Sequence, residues 1–212
     1  MTVRAGLPAR AFPESPLNVH GANERTVAFF ATTGCRAYAE IGVYEGHTAR
    51  RIAEVLDGDG ELHLFDYEDR VVPVAAALRA DGHDNVVAHA NSRRLLDSYN
   101  WSLMAVLAEH EAPVFDYIFL DGAHTWAHDA LAFCLADRLL APGGYLDFDD
   151  YTWTLGASPS MNPDIFPEVR ELYTPEQIAA RQIALVVDLL VRRDARYEEV
   201  VGDKVFRKRP ER

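Results

Sequence analysis

The sequence is poor in the features that mark several large classes of protein. Only two of its 212 residues are cysteines, Cys35 and Cys134, and they lie far apart in apolar or small-residue settings. That spacing offers neither a disulfide framework nor a zinc site, so we expect two reduced thiols in the core. No signal peptide and no apolar run approaching the length of a membrane span is evident, which predicts a cytoplasmic protein without a membrane partner.

Positive charge is scarce as well. The chain has 21 Lys and Arg against 33 Asp and Glu, a net charge of −12. Proteins that bind duplex nucleic acid neutralise phosphates with basic side chains, so this balance argues against a nucleic-acid partner. The one basic cluster, residues 204–209, is expected to be a solvated strand end rather than a binding patch.

Strand and helix patterns alternate along most of the chain. An irregular arm over 1–21 precedes a short helix over 23–33. Strands are then predicted at 36–41, 61–66, 85–90, 117–120 and 144–149, with helices between them. A helix over 175–193 and a hairpin around residues 202–203 follow. The alternation predicts an α/β fold, in which a doubly wound, mostly parallel seven-stranded sheet ends in an antiparallel C-terminal hairpin, as a single domain over 22–212.

A long segment without regular structure, residues 151–174, follows the fifth predicted strand. It contains Trp153, Phe166 and three prolines. Irregular loops of this length are commonly lids or binding loops, so we expect this segment and the N-terminal arm to roof a pocket.

The residues that end the predicted strands are the informative ones, because ligands of such sheets lie beyond the carboxyl ends of the strands. The first strand ends in Glu40-Ile-Gly42-Val-Tyr-Glu-Gly46, and the second ends at Asp66. The glycines allow a tight turn and close approach of a ligand, and Asp66 can accept both hydroxyls of a ribose. The dinucleotide pattern G-x-G-x-x-G is absent, and Glu40 can instead receive an ammonium group.

Three carboxylates stand at the ends of the fourth and fifth strands. Asp121 ends one, and Asp149 and Asp150 end the other. Like charges that converge need a proton or a cation, and an all-oxygen ligand set suits Mg²⁺ or another hard divalent cation. The alternative is that Asp149 or Asp150 caps a turn while the other carboxylates are solvated.

His124 follows Asp121 by three residues. An imidazole next to such a cation can take a proton from an acidified hydroxyl, which makes His124 the candidate general base. The alternative is a helix-terminal histidine whose hydrogen bonds are satisfied locally.

Residues 36–151 and the C-terminal hairpin resemble the class I S-adenosylmethionine-dependent methyltransferases, which have a Rossmann-like fold. The resemblance implies that Glu40, Gly42, Gly46 and Asp121 lie at the cofactor and that Asp66 holds its ribose. It also implies that Asn91 and Ser92, in the loop after the third strand, support the adenine. This loop has Ala90 where the family usually has glycine.

The block LDGAHTWAHDALAFCLADRLLAPGGYLDFDDY is similar to the metal-dependent O-methyltransferases of the macrocin, mycinamicin and novobiocin type. That resemblance implies Mg²⁺ held by Asp121, Asp149 and Asp150, with His124 as the base. Trp126 stands where a tyrosine is commoner.

The function expected is therefore methyl transfer from S-adenosylmethionine to a hydroxyl of a small molecule, such as a sugar or a phenol of a natural-product pathway. Two alternatives stay open: a lyase or cyclase that keeps the fold without transferring methyl, and a non-catalytic protein that binds S-adenosylmethionine. A homo-oligomer is expected by family analogy alone.

Overall fold

The structure is a computed structural model that describes residues 21–210. The predicted arm over 1–21 lies outside the described residues except for Gly21. The strands are β1 Ala37–Ile41, β2 Glu61–Tyr67, β3 Val86–Asn91, β4 Phe115–Leu120, β5 Leu140–Phe148, β6 Tyr197–Val201 and β7 Val205–Lys208. The α-helices are α1 Glu24–Thr33, α2 His47–Leu56, α3 Glu68–Ala80, α4 Tyr99–Glu109, α5 Trp126–Leu139, α6 Val169–Leu172, α7 Pro175–Ala179 and α8 Gln182–Val186.

The strands form one seven-stranded sheet in the order β3-β2-β1-β4-β5-β7-β6. Strands β1 to β5 run parallel, whereas β7 pairs antiparallel with both β5 and β6. The predicted fold class is thereby confirmed, including the antiparallel hairpin at the edge. Strand order reverses between β1 and β4, and this is where a ligand site of such a sheet is expected.

Helices cover both faces of the sheet. Successive residues of a strand point to opposite faces, and in β4 both sets are apolar. Ile118 and Leu120 pack with residues of α4, α5 and α8, whereas Tyr117 and Phe119 pack with residues of α1, α2 and α3. All four side chains are buried, and complete burial stabilises the fold by about 1.5–3 kcal/mol for a Leu or Phe.

The single helix predicted over 175–193 is wrong. Helix α7 ends at Ala179, and α8 begins at Gln182 and continues as a π-helical turn over Val187–Val191. The break places the Gln182 amide between two backbone groups: its Nε2 donates to the Gln177 carbonyl and its Oε1 accepts from the amide of Trp126, each at 2.8 Å. Gln182 thus satisfies an N–H group in the first turn of α5, which an uninterrupted helix would leave without that partner.

The segment 151–174 is irregular, as predicted. It contains one 3₁₀ turn, Leu155–Ala157, and the single-turn helix α6. Leu155 and Val169 are fully buried and anchor the segment to the body of the protein. Its role as a lid stays a prediction.

Two expectations about single side chains are wrong. Cys35 is buried, and burial raises the pKa of its thiol to about 11, but Cys134 is exposed on α5. Lys204, expected to be solvated, is only 6% exposed. Within residues 21–210, no helix is long and apolar enough to cross a membrane.

Candidate active site

The glycine-rich turn after β1 lies against the end of β4. Gly42 has φ +89°, and a Cβ atom there would lie 1.9 Å from the carbonyl oxygen of Asp121. Gly46 has φ +73° and immediately precedes α2, and its Cβ would meet Val74 of α3 at 2.4 Å. Both positions therefore need glycine for conformation and for space. The close neighbours are the end of the protein's own β4 and α3, whereas the sequence pattern suggested a tight turn at Gly42 and close approach of a ligand at Gly46.

Glu40 is a buried carboxyl group at the switch point, 2% exposed. Its Oε2 accepts a hydrogen bond from the Tyr38 hydroxyl at 3.5 Å. Burial raises the pKa of Glu40 well above its usual value, and the charges of Asp121 and Asp66 raise it further. A cationic group placed beside Glu40 would offset this cost of ionisation, as expected for a residue that receives an ammonium group.

Asp66, at the end of β2, holds the glycine-rich turn in place. Its Oδ2 accepts from the backbone N–H groups of Val43 and Tyr44, both at 2.8 Å, and its Oδ1 accepts from the N–H of Tyr67 at 2.6 Å. The carboxylate thus ties β2 to the turn after β1. The position of Asp66 in the sequence predicts a ribose ligand and does not indicate these bonds.

The loop after β3 is closed by a carboxylate. The N–H and the hydroxyl of Ser92 both donate to Asp97 Oδ2, at 2.7 and 2.6 Å. Asn91 is buried, and its Oδ1 has no hydrogen-bond partner within the described part of the chain. A buried acceptor without a donor is costly, so Asn91 is available to a donor of a ligand such as an adenine amino group.

The ends of β4 and β5 continue the ladder of backbone hydrogen bonds from β1. The N–H of Asp121 donates to the carbonyl of Ile41 at 2.9 Å, and the N–H of Asp149 donates to that of Leu120 at 3.0 Å. These bonds bring the carboxylates predicted from the sequence to one edge of the sheet.

Asp121, His124 and Asp150 form a compact group, in which one ligand atom from each residue lies within 4.8 Å of the others. His124 lies between the two carboxylates, with Nε2 3.0 Å from Asp121 Oδ1 and Nδ1 3.3 Å from Asp150 Oδ2. His124 and Asp150 both have positive φ, +56° and +57°, which an L-residue rarely adopts. Strained backbone of this kind is common at functional sites.

Asp149 lies beside this group rather than within it. Its Oδ1 accepts from Asn23 Nδ2 at 3.0 Å and lies 3.9 Å from Lys204 Nζ. Burial and the charges of Asp121 and Asp150 raise the pKa of Asp149 to about 6. The three carboxylates therefore repel one another, as the sequence led us to expect of a site that binds a cation.

The electrostatics of His124 differ from those of an isolated imidazole. Burial lowers the pKa of His124, but the hydrogen bond and charge of Asp121 and the charge of Asp150 outweigh burial and raise the pKa to about 9. Without a cation, therefore, the ring is protonated at neutral pH.

A buried pair supports the turn that carries His124. The Tyr99 hydroxyl donates to Asp129 Oδ1 at 2.7 Å, and Asp129 Oδ2 accepts from the N–H of Thr125 at 2.7 Å. A Cβ at Gly122 would meet the Tyr99 hydroxyl at 2.6 Å, so this glycine lets the pair fit beneath the turn. No pattern in the sequence indicates this pair.

Two neighbours of His124 have separate contacts. His128 Nδ1 lies 3.0 Å from the Thr125 hydroxyl, so it helps to order the start of α5. The ring of Trp153, from the irregular segment, meets the His124 ring edge-on at a centroid distance of 5.1 Å.

Behind the carboxylates, Lys204 and Asp147 form a buried ion pair at 2.9 Å. Asp147 also accepts from the Tyr117 hydroxyl at 2.7 Å. Asp147 therefore points to buried partners and is not part of the group of Asp121, His124 and Asp150. No motif in the sequence indicated Lys204 or Asn23.

Comparison with known proteins identifies the domain. A family model described as a methyltransferase domain matches residues 39–151, more than half of the chain. No curated protein matches the sequence significantly.

Solved structures with the same fold include an O-methyltransferase from Bacillus cereus in complex with SAH, at TM-score 0.58 and 18% identity over 94% of this chain and 83% of that one. The O-methyltransferase TomG from Streptomyces achromogenes, involved in tomaymycin synthesis and bound to SAM, has TM-score 0.54 and 18% identity over 89% and 79%. SAH-bound PaMTH1, a methyltransferase from Podospora anserina, has TM-score 0.58 and 18% identity over 89% and 77%. At these identities the structures support the fold, and it is the family match over residues 39–151 that assigns the chain to the methyltransferase domain family.

Proposed function

We propose that the chain transfers a methyl group from S-adenosylmethionine to a hydroxyl of a small molecule, in a reaction that depends on Mg²⁺ or a similar divalent cation. The observation that carries the proposal is the group of Asp121, His124 and Asp150, which lies beside the turn after β1. The solved relatives include O-methyltransferases bound to SAM or SAH, which supports this cofactor for the present chain.

The cofactor would occupy the switch point between β1 and β4. Glu40 faces its ammonium group, Asp66 its ribose hydroxyls, and Asn91 with Ser92 its adenine. Glu40 has a raised pKa and lacks a cationic partner among the residues described. An ammonium group in that position stabilises the ionised carboxylate, so binding is expected to be driven partly by this contact.

The donor set fits a hard divalent cation. Asp121 and Asp150 provide oxygen ligands within bonding range of a common point, and Asp149 adds a third carboxylate at its side. Such an ion supplies two effects when bound: it acidifies an acceptor hydroxyl, and it offsets the negative charge that keeps His124 protonated.

His124 is the proposed general base. It can accept a proton from the acceptor hydroxyl only when its ring is neutral, and Asp121 and Asp150 prevent this in the absence of a cation because they raise its pKa. The hydroxyl oxygen then forms a bond to the methyl carbon while the carbon–sulfur bond breaks, leaving S-adenosylhomocysteine, and the proton goes to His124. Since sulfonium is a good leaving group, the protein contributes mainly orientation and exclusion of water.

The test combines binding with methyl transfer. Calorimetry should show S-adenosylmethionine binding to the purified protein. Incubation with ¹³C-methyl-labelled cofactor, Mg²⁺ and a panel of phenols, catechols and sugars should give a labelled product and an equal amount of S-adenosylhomocysteine. Loss of turnover on adding EDTA would support the cation, and undiminished turnover would refute it. Absence of cofactor binding would refute the proposal as a whole.

The base is tested by His124→Ala. We expect turnover to fall about 10²–10⁴-fold, the usual contribution of a general base, while cofactor affinity stays close to that of the wild type. His128→Ala is the matched control, because His128 lies one turn further along and contacts Thr125 instead of the carboxylates. An equal loss of turnover in both variants, or a parallel loss of cofactor affinity, would contradict the role of His124.

A further inference from the structure

Asn23 connects three parts of the site. It lies immediately before α1, and its Oδ1 accepts from the N–H of Thr26 at 3.1 Å, so it caps that helix. Its backbone N–H donates to the hydroxyl of Thr48 at 2.9 Å, in the first turn of α2. Its side-chain Nδ2 donates to Asp149 Oδ1 at 3.0 Å. Asn23, which lies outside the sheet, therefore contacts both the first turn of α2 and the carboxylate of Asp149.

The contact with Asp149 fixes a side chain that β5 alone does not hold. Lys204 approaches the same oxygen at 3.9 Å, and it also donates to the carbonyl of Phe148 at 3.3 Å and pairs with Asp147. Asp149 Oδ1 is thus placed between a neutral amide donor and an ammonium group. Because Lys204 is the longer and weaker contact, Asn23 sets the orientation of the carboxylate more directly.

The chemistry of the two donors also differs. An ammonium group near a divalent cation repels it, whereas the amide of Asn23 orients the carboxylate without adding charge. Hydrogen bonds to the ligands of a metal commonly determine its affinity, and their loss weakens binding about 10–100-fold.

We propose that Asn23 is a positioning residue: it orients Asp149 toward a divalent cation and links this orientation to the first turn of α2. The proposal rests on the proposed function, in which Asp149 belongs to the cation site. In this proposal Asn23 acts through Asp149 and has no direct part in the chemistry. The hydrogen bonds of Asn23 separate its two tasks, because the cap uses Oδ1 and the contact with Asp149 uses Nδ2.

Two substitutions exploit this separation. Asn23→Ser keeps a capping oxygen, since serine is a favourable N-cap residue, but removes the donor to Asp149. Asn23→Ala removes both. Ser98→Ala is the matched control, because Ser98 caps α4 through the N–H of Asn100 and its side chain has no contact with the carboxylates.

The readouts are Mn²⁺ affinity by electron paramagnetic resonance, S-adenosylmethionine affinity by calorimetry, and thermal unfolding in EDTA. We expect Asn23→Ser and Asn23→Ala each to weaken Mn²⁺ binding about tenfold and to leave cofactor affinity unchanged. Thermal stability should fall in Asn23→Ala and Ser98→Ala but not in Asn23→Ser. Mn²⁺ affinity should therefore depend on the side-chain donor at position 23, and thermal stability should depend on the capping oxygen at positions 23 and 98.

Each other outcome has a distinct meaning. Wild-type Mn²⁺ affinity in Asn23→Ser would overturn the role of Asn23. Equal weakening of Mn²⁺ binding in Ser98→Ala would also overturn it, since loss of any cap would then suffice. Failure of the wild-type protein to bind Mn²⁺ at all would instead refute the cation in the proposed function.

Discussion

Two lysine–aspartate pairs lie at opposite ends of β7. Lys204, just before the strand, lies 2.9 Å from Asp147, and Lys208, its last residue, lies 3.3 Å from Asp137. Both lysines also donate to backbone carbonyls of the neighbouring structure. The first pair lies at the carboxyl ends of the parallel strands, on the same side of the sheet as the site. The second pair lies at their amino ends, on the opposite side. The two pairs thus allow the same interaction to be compared in two settings.

The charge around each pair differs. Asp137 also accepts from Arg196 Nη2 and from the Tyr197 hydroxyl, each at 2.9 Å, and Arg196 pairs with Asp194 as well, so two cations face two carboxylates. At the other end of β7, the carboxylates outnumber the cations. Lys204 pairs with Asp147 and lies 3.9 Å from Asp149, and His124 lies between Asp121 and Asp150. Charge is therefore balanced at one end of β7, whereas carboxylates exceed cations at the other, which supports the proposed cation site.

The largest effect is expected from Asp137→Ala. This change leaves Lys208, Arg196 and the Tyr197 hydroxyl without their shared acceptor. Breaking a buried pair in this way should lower the free energy of unfolding by about 3–5 kcal/mol. Urea denaturation in EDTA measures it. Asp59→Asn, which removes an exposed charge, is the control. If Asp137→Ala lowers the free energy of unfolding by less than Asp59→Asn does, the contrast between the two ends of β7 is wrong.

The next effect is stabilisation by a cation. Mn²⁺ at about 100 times its dissociation constant should raise the free energy of unfolding by about 2.7 kcal/mol, because it binds the native state only. Asp150→Asn should abolish the gain, while Asp59→Asn, at an exposed position far from the site group, should retain it. The measurement is denaturation with and without Mn²⁺. A gain retained in Asp150→Asn would place the cation elsewhere.

The smallest effect is expected from Asp149→Asn in EDTA, which should raise the free energy of unfolding, whereas Asp137→Ala should lower it. Asp149 keeps its proton up to about pH 6 in the native state, against 3.8 for an ordinary aspartate. The native state therefore binds more protons in this interval, and the contribution of Asp149 to stability falls as pH rises through it. Asparagine avoids that loss, so the variant should be more stable by about 1–2 kcal/mol at pH 7.5.

The pH dependence provides the control for this prediction. The advantage of Asp149→Asn should shrink as pH falls and vanish near about pH 4, where the native carboxyl is already neutral. A variant that is less stable than the wild type at pH 7.5 would show that Asp149 contributes through its hydrogen bonds more than it costs through repulsion.

Much of the fold follows from local sequence pattern. The buried strands read as continuous apolar runs, and their alternation with helices fixes a parallel sheet and the edge at which ligands lie. The same pattern is sufficient to place Asp121, Asp149 and Asp150 at that edge. The helix predicted over 175–193 failed because its break depends on Gln182, whose partner Trp126 lies 56 residues away.

The remaining features of the site depend on contacts that sequence pattern does not encode. Lys204 belongs to a run of basic residues that predicts a solvated segment. In the structure it lies at the end of the turn between β6 and β7, and its side chain is buried against Asp147. Asn23 contacts a residue 126 positions away. The contact of His124 with Asp150, and the position of Asp149 beside the group, depend on contacts between residues far apart in the sequence.

The contact between Gly42 and Asp121 couples the turn after β1 to the end of β4, so a substitution in the turn also affects the end of the strand. A methyl group at position 42 would overlap the Asp121 carbonyl oxygen, 1.9 Å from it. Relief would require moving the end of β4 and, with it, the carboxylate that pairs with His124. Any substitution of Gly42 is therefore expected to disturb the turn after β1 and the group of Asp121, His124 and Asp150 in the same step.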